Sequence, residues 1–212
     1  MVDIANRRIA IGRNSPHFVS VLRAYVALTK PRIIELLLVT TVPAMMLAAR
    51  GLPSVGLLIA TLGGGTLAAG SANAMNCYYD RDIDAIMVRT KDRPLNHSLV
   101  SPRSALVFGL ALGGLSLALL WLTTNALSAA LALGAIAFYV LVYTRLLKRR
   151  TSQNIVWGGA AGCTPVLIGW TAVTGRLARA PVVVFRHLVL WTPPHFCDSA
   201  VRLRGDCSAG PA

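Results

Sequence analysis

Six apolar stretches, most of them close to twenty residues long, recur along this chain with short basic segments between them. They read as about Ile33–Ala49, Val55–Tyr79, Ala105–Leu122, Ala126–Leu147, Ile155–Thr174 and Val182–Val201. A helix rises about 1.5 Å per residue, so about 20 apolar residues cross the hydrocarbon core of a bilayer. Nothing in that core can satisfy an exposed backbone amide, which makes a helix the form each stretch takes. The expected fold is all-α: a polytopic transmembrane helical bundle of about six spans. Composition agrees, with 55% hydrophobic residues, 14% charged residues and a mean hydropathy of +0.60.

The net charge of +13 raises the question of nucleic acid. That class is excluded, because the basic residues lie between apolar spans and form no hydrophilic domain. They read as orientation signals and contacts to the lipid bilayer. With the N-terminus inside, the inner segments take six Lys/Arg before the first span, five in 80–103, four in 145–150, and Arg202 and Arg204. The outer segments take only Arg50, Arg176 and Arg179. This is a strong positive-inside asymmetry. Small residues within the spans, Gly63-Gly64-Gly65, Gly70, Gly109, Gly113, Gly114, Gly158, Gly159 and Gly162, predict close helix–helix approach.

The chemistry concentrates in NAMNCYYDRDIDAIMVRTKDRPL, residues 73–95, which hold four of the eight acids. Asn76, Asp80 and Asp84 follow at spacing four. On one continuous helix each step turns about 400° and rises about 6 Å, stacking the three on one face. Two carboxylates and an amide offer hard oxygen ligands of the kind Mg²⁺ takes together with a substrate phosphate. Asp82 points elsewhere. Arg89, Lys91 and Arg93 follow, and a metal end running into a cationic end suits a diphosphate. The bland alternative is a solvated helix end. Acids that close an apolar span favour function over it.

Two further blocks lie on the same inner face. LVYTRLLKRRTSQN, residues 141–154, places Tyr143 and Lys148 at the end of the fourth span, before Arg149, Arg150 and Thr151. This is either a topology anchor or a second diphosphate-contacting set. Asn154 is either a helix cap or a polar substrate contact. WTPPHFC, residues 191–197, carries two prolines in the sixth span, where local unwinding is expected. His195 within it either contacts a polar substrate or a metal, or is hydrogen-bonded inside the bundle. Asp206 follows at the inner end, placed to face Asp80 as a further metal-binding acid. Glu35 reads as an interfacial acid. Cys77, Cys163, Cys197 and Cys207 show no C-x-x-C pairing, so neither a zinc site nor a disulfide framework is indicated.

N-x-x-x-D-x-x-x-D at the end of the second span resembles the first aspartate motif of the UbiA-type intramembrane prenyltransferases. NCYYDRDIDAIMVRTKDRPL, YTRLLKRRTSQNIVWGGAAGCTPVLIGWTAVTG and WTPPHF are similar to the signatures of the heme O synthase (protoheme IX farnesyltransferase) branch. The resemblance spans roughly residues 20–206. It implies a Mg²⁺-dependent enzyme that transfers a farnesyl group from farnesyl diphosphate to a vinyl of heme b, with addition of water. Asn76, Asp80, Asp84 and Asp206 would hold metal and diphosphate, with Asn76, Asp80 and Asp84 the catalytic set. Arg89, Arg93, Lys148 and Tyr143 would line the diphosphate side, and His195 the porphyrin side. A bacterial inner-membrane location, with the site on the cytoplasmic face, and association with heme A synthase are implied as well. Tyr78 and Tyr79 flank the motif and either steady a carbocation or pack.

The expected division is a basic N-terminal segment with an interfacial helix over 1–32, a transmembrane domain over 33–206 and a divergent tail over 207–212. Family members have nine spans, and the ending CDSAVRLRGDCSAGPA departs from their pattern at Cys197, Asp198 and Cys207. A truncated or frame-shifted product, incomplete on one side of its cavity, is therefore expected. The competing readings are an inactive fragment, a prenyltransferase acting on an aromatic or quinone precursor, and a membrane transporter. The WTPPHF block argues against the second. A cluster of acids at one membrane face, instead of polar groups strung along a pore, argues against the last.

Overall fold

The computed structural model describes residues 17–86, 100–148, 150 and 154–202, with side chains described over 19–83, 100–148, 150 and 157–191. Its helices are α1 (His17–Thr29), α2 (Pro31–Ala49), α3 (Val55–Tyr79), the short α4 (Arg81–Ile86), α5 (Pro102–Thr123), α6 (Ala126–Ala137), α7 (Asn154–Thr174) and α8 (Arg179–Arg202). α6 runs on as a π-helical segment over Phe138–Leu147. Helices therefore stand at all six expected positions, with ends within about three residues of those expected. Among the described residues, α2, α3, α5 and α6 with its π-helical continuation are long and apolar enough to cross a membrane.

The starts of these helices follow from local chemistry. Ser54 Oγ accepts from the Leu57 amide (3.4 Å), Ser101 Oγ from the Ser104 amide (3.1 Å) and Asn125 Oδ1 from the Ser128 amide (2.9 Å). Pro31 and Pro102 open α2 and α5, where a missing N–H costs nothing. Asn125 does a second job, since its Nδ2 donates to the Thr171 carbonyl at 2.7 Å and ties the start of α6 to α7. Asn125→Ala removes cap and tie together. It is expected to cost about 1.5–2 kcal/mol, read as a lower melting temperature in detergent with the helix content kept.

α3 is the central helix, packed on α5 over nearly its whole length and touched by α1, α2, α6 and α7. The approach is close because small residues face large ones. Gly64 sits under Leu120, and Gly109 lies against Met75 and the Ser71 carbonyl. Ser116 Oγ donates to the Gly64 carbonyl at 2.7 Å, so the same contact is also hydrogen-bonded. Elsewhere Gly169 of α7 meets Thr41 of α2, and Ser128 and Thr171 share a hydrogen bond of 2.9 Å between α6 and α7. Hydroxyls bridging helices are a usual device in lipid, where apolar contact alone does not drive association. Leu52, Trp121, Leu122 and Leu190 are exposed on the outer surface, as lipid-facing side chains are.

Two expectations are corrected. Asp80 closes α3 with φ −92° and ψ 3°, so the run from Asn76 to Asp84 is two helices, not one. Asp84 lies on α4, beyond this break. The backbone of α8 is helical through WTPPHFC, so the expected unwinding at Pro193 and Pro194 is absent. Proline is tolerated in apolar spans because neighbouring groups can take over the freed carbonyls. α7 shows how this works. Pro165 cannot donate to the Ala161 carbonyl, and the Thr164 hydroxyl donates to it instead.

Candidate functional site

The inner end of α3 carries three polar residues at consecutive turns, Asn73, Asn76 and Asp80, all buried. Each reaches a different element. Asn73 Nδ2 donates to the Thr29 carbonyl at the end of α1 (2.8 Å). Asn76 Nδ2 donates to Asp80 Oδ2 (2.7 Å) and to Thr144 Oγ1 of the π-helical segment (3.1 Å). Asn76 Oδ1 accepts from Lys30 Nζ (2.9 Å). Lys148 Nζ forms an ion pair with Asp80 Oδ2. Lysine only donates and a carboxylate only accepts, so the two neighbours together fix which way the Asn76 amide faces.

The π-helical segment sets this geometry. The Thr144 hydroxyl donates to the Tyr139 carbonyl five residues earlier (2.8 Å), and the Lys148 amide donates to the Tyr143 carbonyl, again five back (2.9 Å). These wider turns place Thr144 and Lys148 toward α3. They also stack Tyr139 on Tyr143 at 5.0 Å between ring centroids. π-helical turns of this kind concentrate at functional sites.

Asp80 is fully buried, and its Oδ1 has no hydrogen-bond partner among the described residues. A buried acceptor left unmade costs about 1–3 kcal/mol, more when charged. Such an oxygen is suited to a hard cation. The other oxygens are engaged: Asp80 Oδ2 by Asn76 and Lys148, and Asn76 Oδ1 by Lys30. Lys148 is paired with the Asp80 carboxylate, and Lys30 reaches the neighbouring Asn76 oxygen. Among the described residues no group of three or more His, Cys, Asp or Glu side chains gathers as a metal cluster.

Beside this network lies a cavity of about 530 Å³ between α2, α3, the π-helical segment, α7 and α8. Asn73 and Tyr143 line it, each within a turn of Asn76 or Thr144, so the polar network sits at its inner end. The rest of the wall is apolar or small, including Gly65, Ala68 and Ala72 of α3. Thr41 and Thr61 also line it. Their hydroxyls donate to Leu37 and Leu57 of their own helices (3.0 and 2.8 Å), which takes up their donor capacity locally. The volume is that of a small-molecule site.

Of the residues expected from sequence, Asn76, Asp80, Lys148 and Tyr143 are brought together. Asp82 is exposed on α4. Tyr78 and Tyr79 contact each other edge to face (5.2 Å), Arg81 lies over the Tyr78 ring (4.9 Å), and Tyr79 packs on the core. Cys77 and Cys163 are buried. Glu35 is exposed near the start of α2. The side chains of Asp84, Asn154 and His195 lie outside the described residues, as do Arg89, Arg93, Arg149, Cys207, Asp206 and the termini at 1–16 and 207–212. Sequence reasoning missed Lys30, Asn73 and Thr144. A cation just before a helix-opening proline is the one signal that could have marked Lys30 out from the other N-terminal charges.

The model of the UbiA prenyltransferase family matches residues 37–211. Protoheme IX farnesyltransferase 2 of Saccharopolyspora erythraea is 63% identical over 185 residues, covering 87% of this chain and 57% of that protein. Protoheme IX farnesyltransferase of Renibacterium salmoninarum is 56% identical over 203 residues, covering 94% and 64%. That of Streptomyces avermitilis is 59% identical over 184 residues, covering 87% and 60%. The chain thus spans roughly three fifths of the length of these curated relatives. No solved structure matches it. With the family's model covering most of its length and the apolar helices in place, the chain is a multi-pass membrane protein that belongs to the UbiA prenyltransferase family.

Proposed function

We propose that the site ionises farnesyl diphosphate and delivers the farnesyl group to a vinyl of heme b, giving heme O. The observation that carries this reading is the buried Asp80, held by Asn76 and Lys148 at the inner end of an apolar cavity, with one carboxylate oxygen left open. The names of the relatives supply the acceptor and the chain length.

Asp80 Oδ1 fits a Mg²⁺ ion, and Asp84 and Asp206 are the other acids that would complete its shell. Asn76 would join only by releasing its oxygen from Lys30. Bound there, the metal supplies Lewis-acid stabilisation of the diphosphate oxygens. The protein's own groups do the rest. Lys148, with Arg89 and Arg93 from the following segment, neutralises the leaving diphosphate as the C–O bond breaks and its electron pair departs with oxygen. The apolar cavity holds the prenyl chain and keeps stray water from the allylic cation. The terminal vinyl carbon forms the new C–C bond. Water then adds to the porphyrin-side carbon, and its proton leaves with the diphosphate.

On the charge pattern, the site opens on the cytoplasmic face of a bacterial inner membrane. The test is incubation of the membrane-embedded chain with heme b, farnesyl diphosphate and Mg²⁺, beside a full-length relative, with mass analysis of the heme. A hydroxyethylfarnesyl adduct is expected. Diphosphate release with no heme product from either protein would redirect the reading to another acceptor.

A further inference from the structure

Lys30 joins α1 to α2 with φ 55° and ψ 65°, a left-handed conformation that non-glycine residues rarely take and that costs of order 1–3 kcal/mol. Strain of that kind persists only where surrounding contacts over-determine it. One such contact reaches across the bundle. The strained turn aims the Lys30 ammonium at Asn76 Oδ1, 2.9 Å away and 46 residues distant in sequence. Directly beneath, Asn73 Nδ2 anchors the last carbonyl of α1 at Thr29. Two consecutive residues, Thr29 by its carbonyl and Lys30 by its ammonium, are thus tied to two consecutive polar turns of α3. On the far side of the same pair, Lys148 meets Asp80.

We propose that Lys30 is a positioning residue for the diphosphate site. It holds the Asn76 amide so that Nδ2 faces Asp80 Oδ2 and Asp80 Oδ1 stays the open oxygen, and it adds a second ammonium opposite Lys148. An amide turned the other way would set its oxygen against the carboxylate and its N–H against the ammonium, both repulsive. A glycine would make the same turn without strain, so the lysine is present for its ammonium. This inference rests on reading the site as one that takes a diphosphate.

The test measures binding of inorganic pyrophosphate with Mg²⁺ to the purified chain in nanodiscs, for wild type, Lys30→Met, Lys30→Gly and Lys30→Arg. Lys30→Met and Lys30→Gly are each expected to weaken pyrophosphate binding about tenfold, as loss of a charged contact does. Lys30→Arg restores part of it. Lys30→Gly is expected to melt at a higher temperature than Lys30→Met, which separates backbone relief from loss of the ammonium. Unchanged pyrophosphate affinity in Lys30→Met, with wild-type binding intact, overturns the role of Lys30 and leaves the site standing. Absence of binding to the wild type removes both. Equal weakening in all three variants would reduce Lys30 to a hinge and also overturn the proposal.

Discussion

Asp80→Asn is expected to leave the bundle folded and to abolish diphosphate cleavage, with turnover down by at least about a thousandfold. The geometry separates the two effects. Asp80 Oδ2 accepts from both Asn76 and Lys148. An asparagine oxygen in the same place keeps both hydrogen bonds. The open Oδ1 becomes an amide nitrogen, which can neither bind a cation nor tolerate one nearby. Asp80→Ala should lose turnover equally but also stability, because it removes one acceptor of the buried Asn76 amide and leaves the partly buried Lys148 without its carboxylate. The measurement pairs pyrophosphate release from farnesyl diphosphate with thermal melting of each variant. Cleavage retained in Asp80→Asn would mean that the open oxygen is not where the diphosphate is handled. A collapse of its melting temperature to that of Asp80→Ala would mean that the network is structural.

Gly109→Val is expected to be the most damaging of the helix-interface substitutions. A β-carbon on Gly109 would stand 2.8 Å from Met75 Cγ and 3.3 Å from both the Met75 amide nitrogen and the Ser71 carbonyl oxygen. The methionine side chain can swing away, but the two backbone atoms cannot. The added bulk must therefore push α5 off α3, the most extensive contact in the bundle. Overpacking typically costs about 1–3 kcal/mol, and here the two branches beyond Cβ place the cost at the upper end. Because Met75 is next to Asn76, the displacement also reaches the site. Loss of both melting temperature and cleavage is expected. Gly114→Ala on the same helix is the control, since nothing lies within 4 Å of the point where its β-carbon would stand. Parity between the two substitutions would show that α3 and α5 do not approach as described.

What could be read from residues alone divides along physical lines. Apolar run length is a local property, so all six helices were legible, as was the placement of Asp80 and Lys148 at the same end of the bundle, which needs only the count of crossings. The Asn76–Asp80 pair was legible because it spans one turn. The break at Asp80 was not, since a helix can end one residue before a carboxylate or continue through it with little difference in pattern. Lys30 and Thr144 were hidden for another reason. Their partners lie 46 and 68 residues away, and only packing brings them together. Lys30 looked like one of six N-terminal charges, and Thr144 like a polar residue tolerated in a span. The continuity of α8 through two prolines depends on neighbours, which no single segment reveals.

The widened turns over Phe138–Leu147 have a consequence for anyone aligning or redesigning this helix. A helical wheel drawn at ordinary pitch loses phase after Ala137, and by Lys148 it assigns side chains to faces they do not occupy. Grafts, cysteine pairs or probes planned on such a wheel would land on the membrane side instead of the polar one. The correct frame counts backward from Lys148, whose carboxylate partner marks the inward direction.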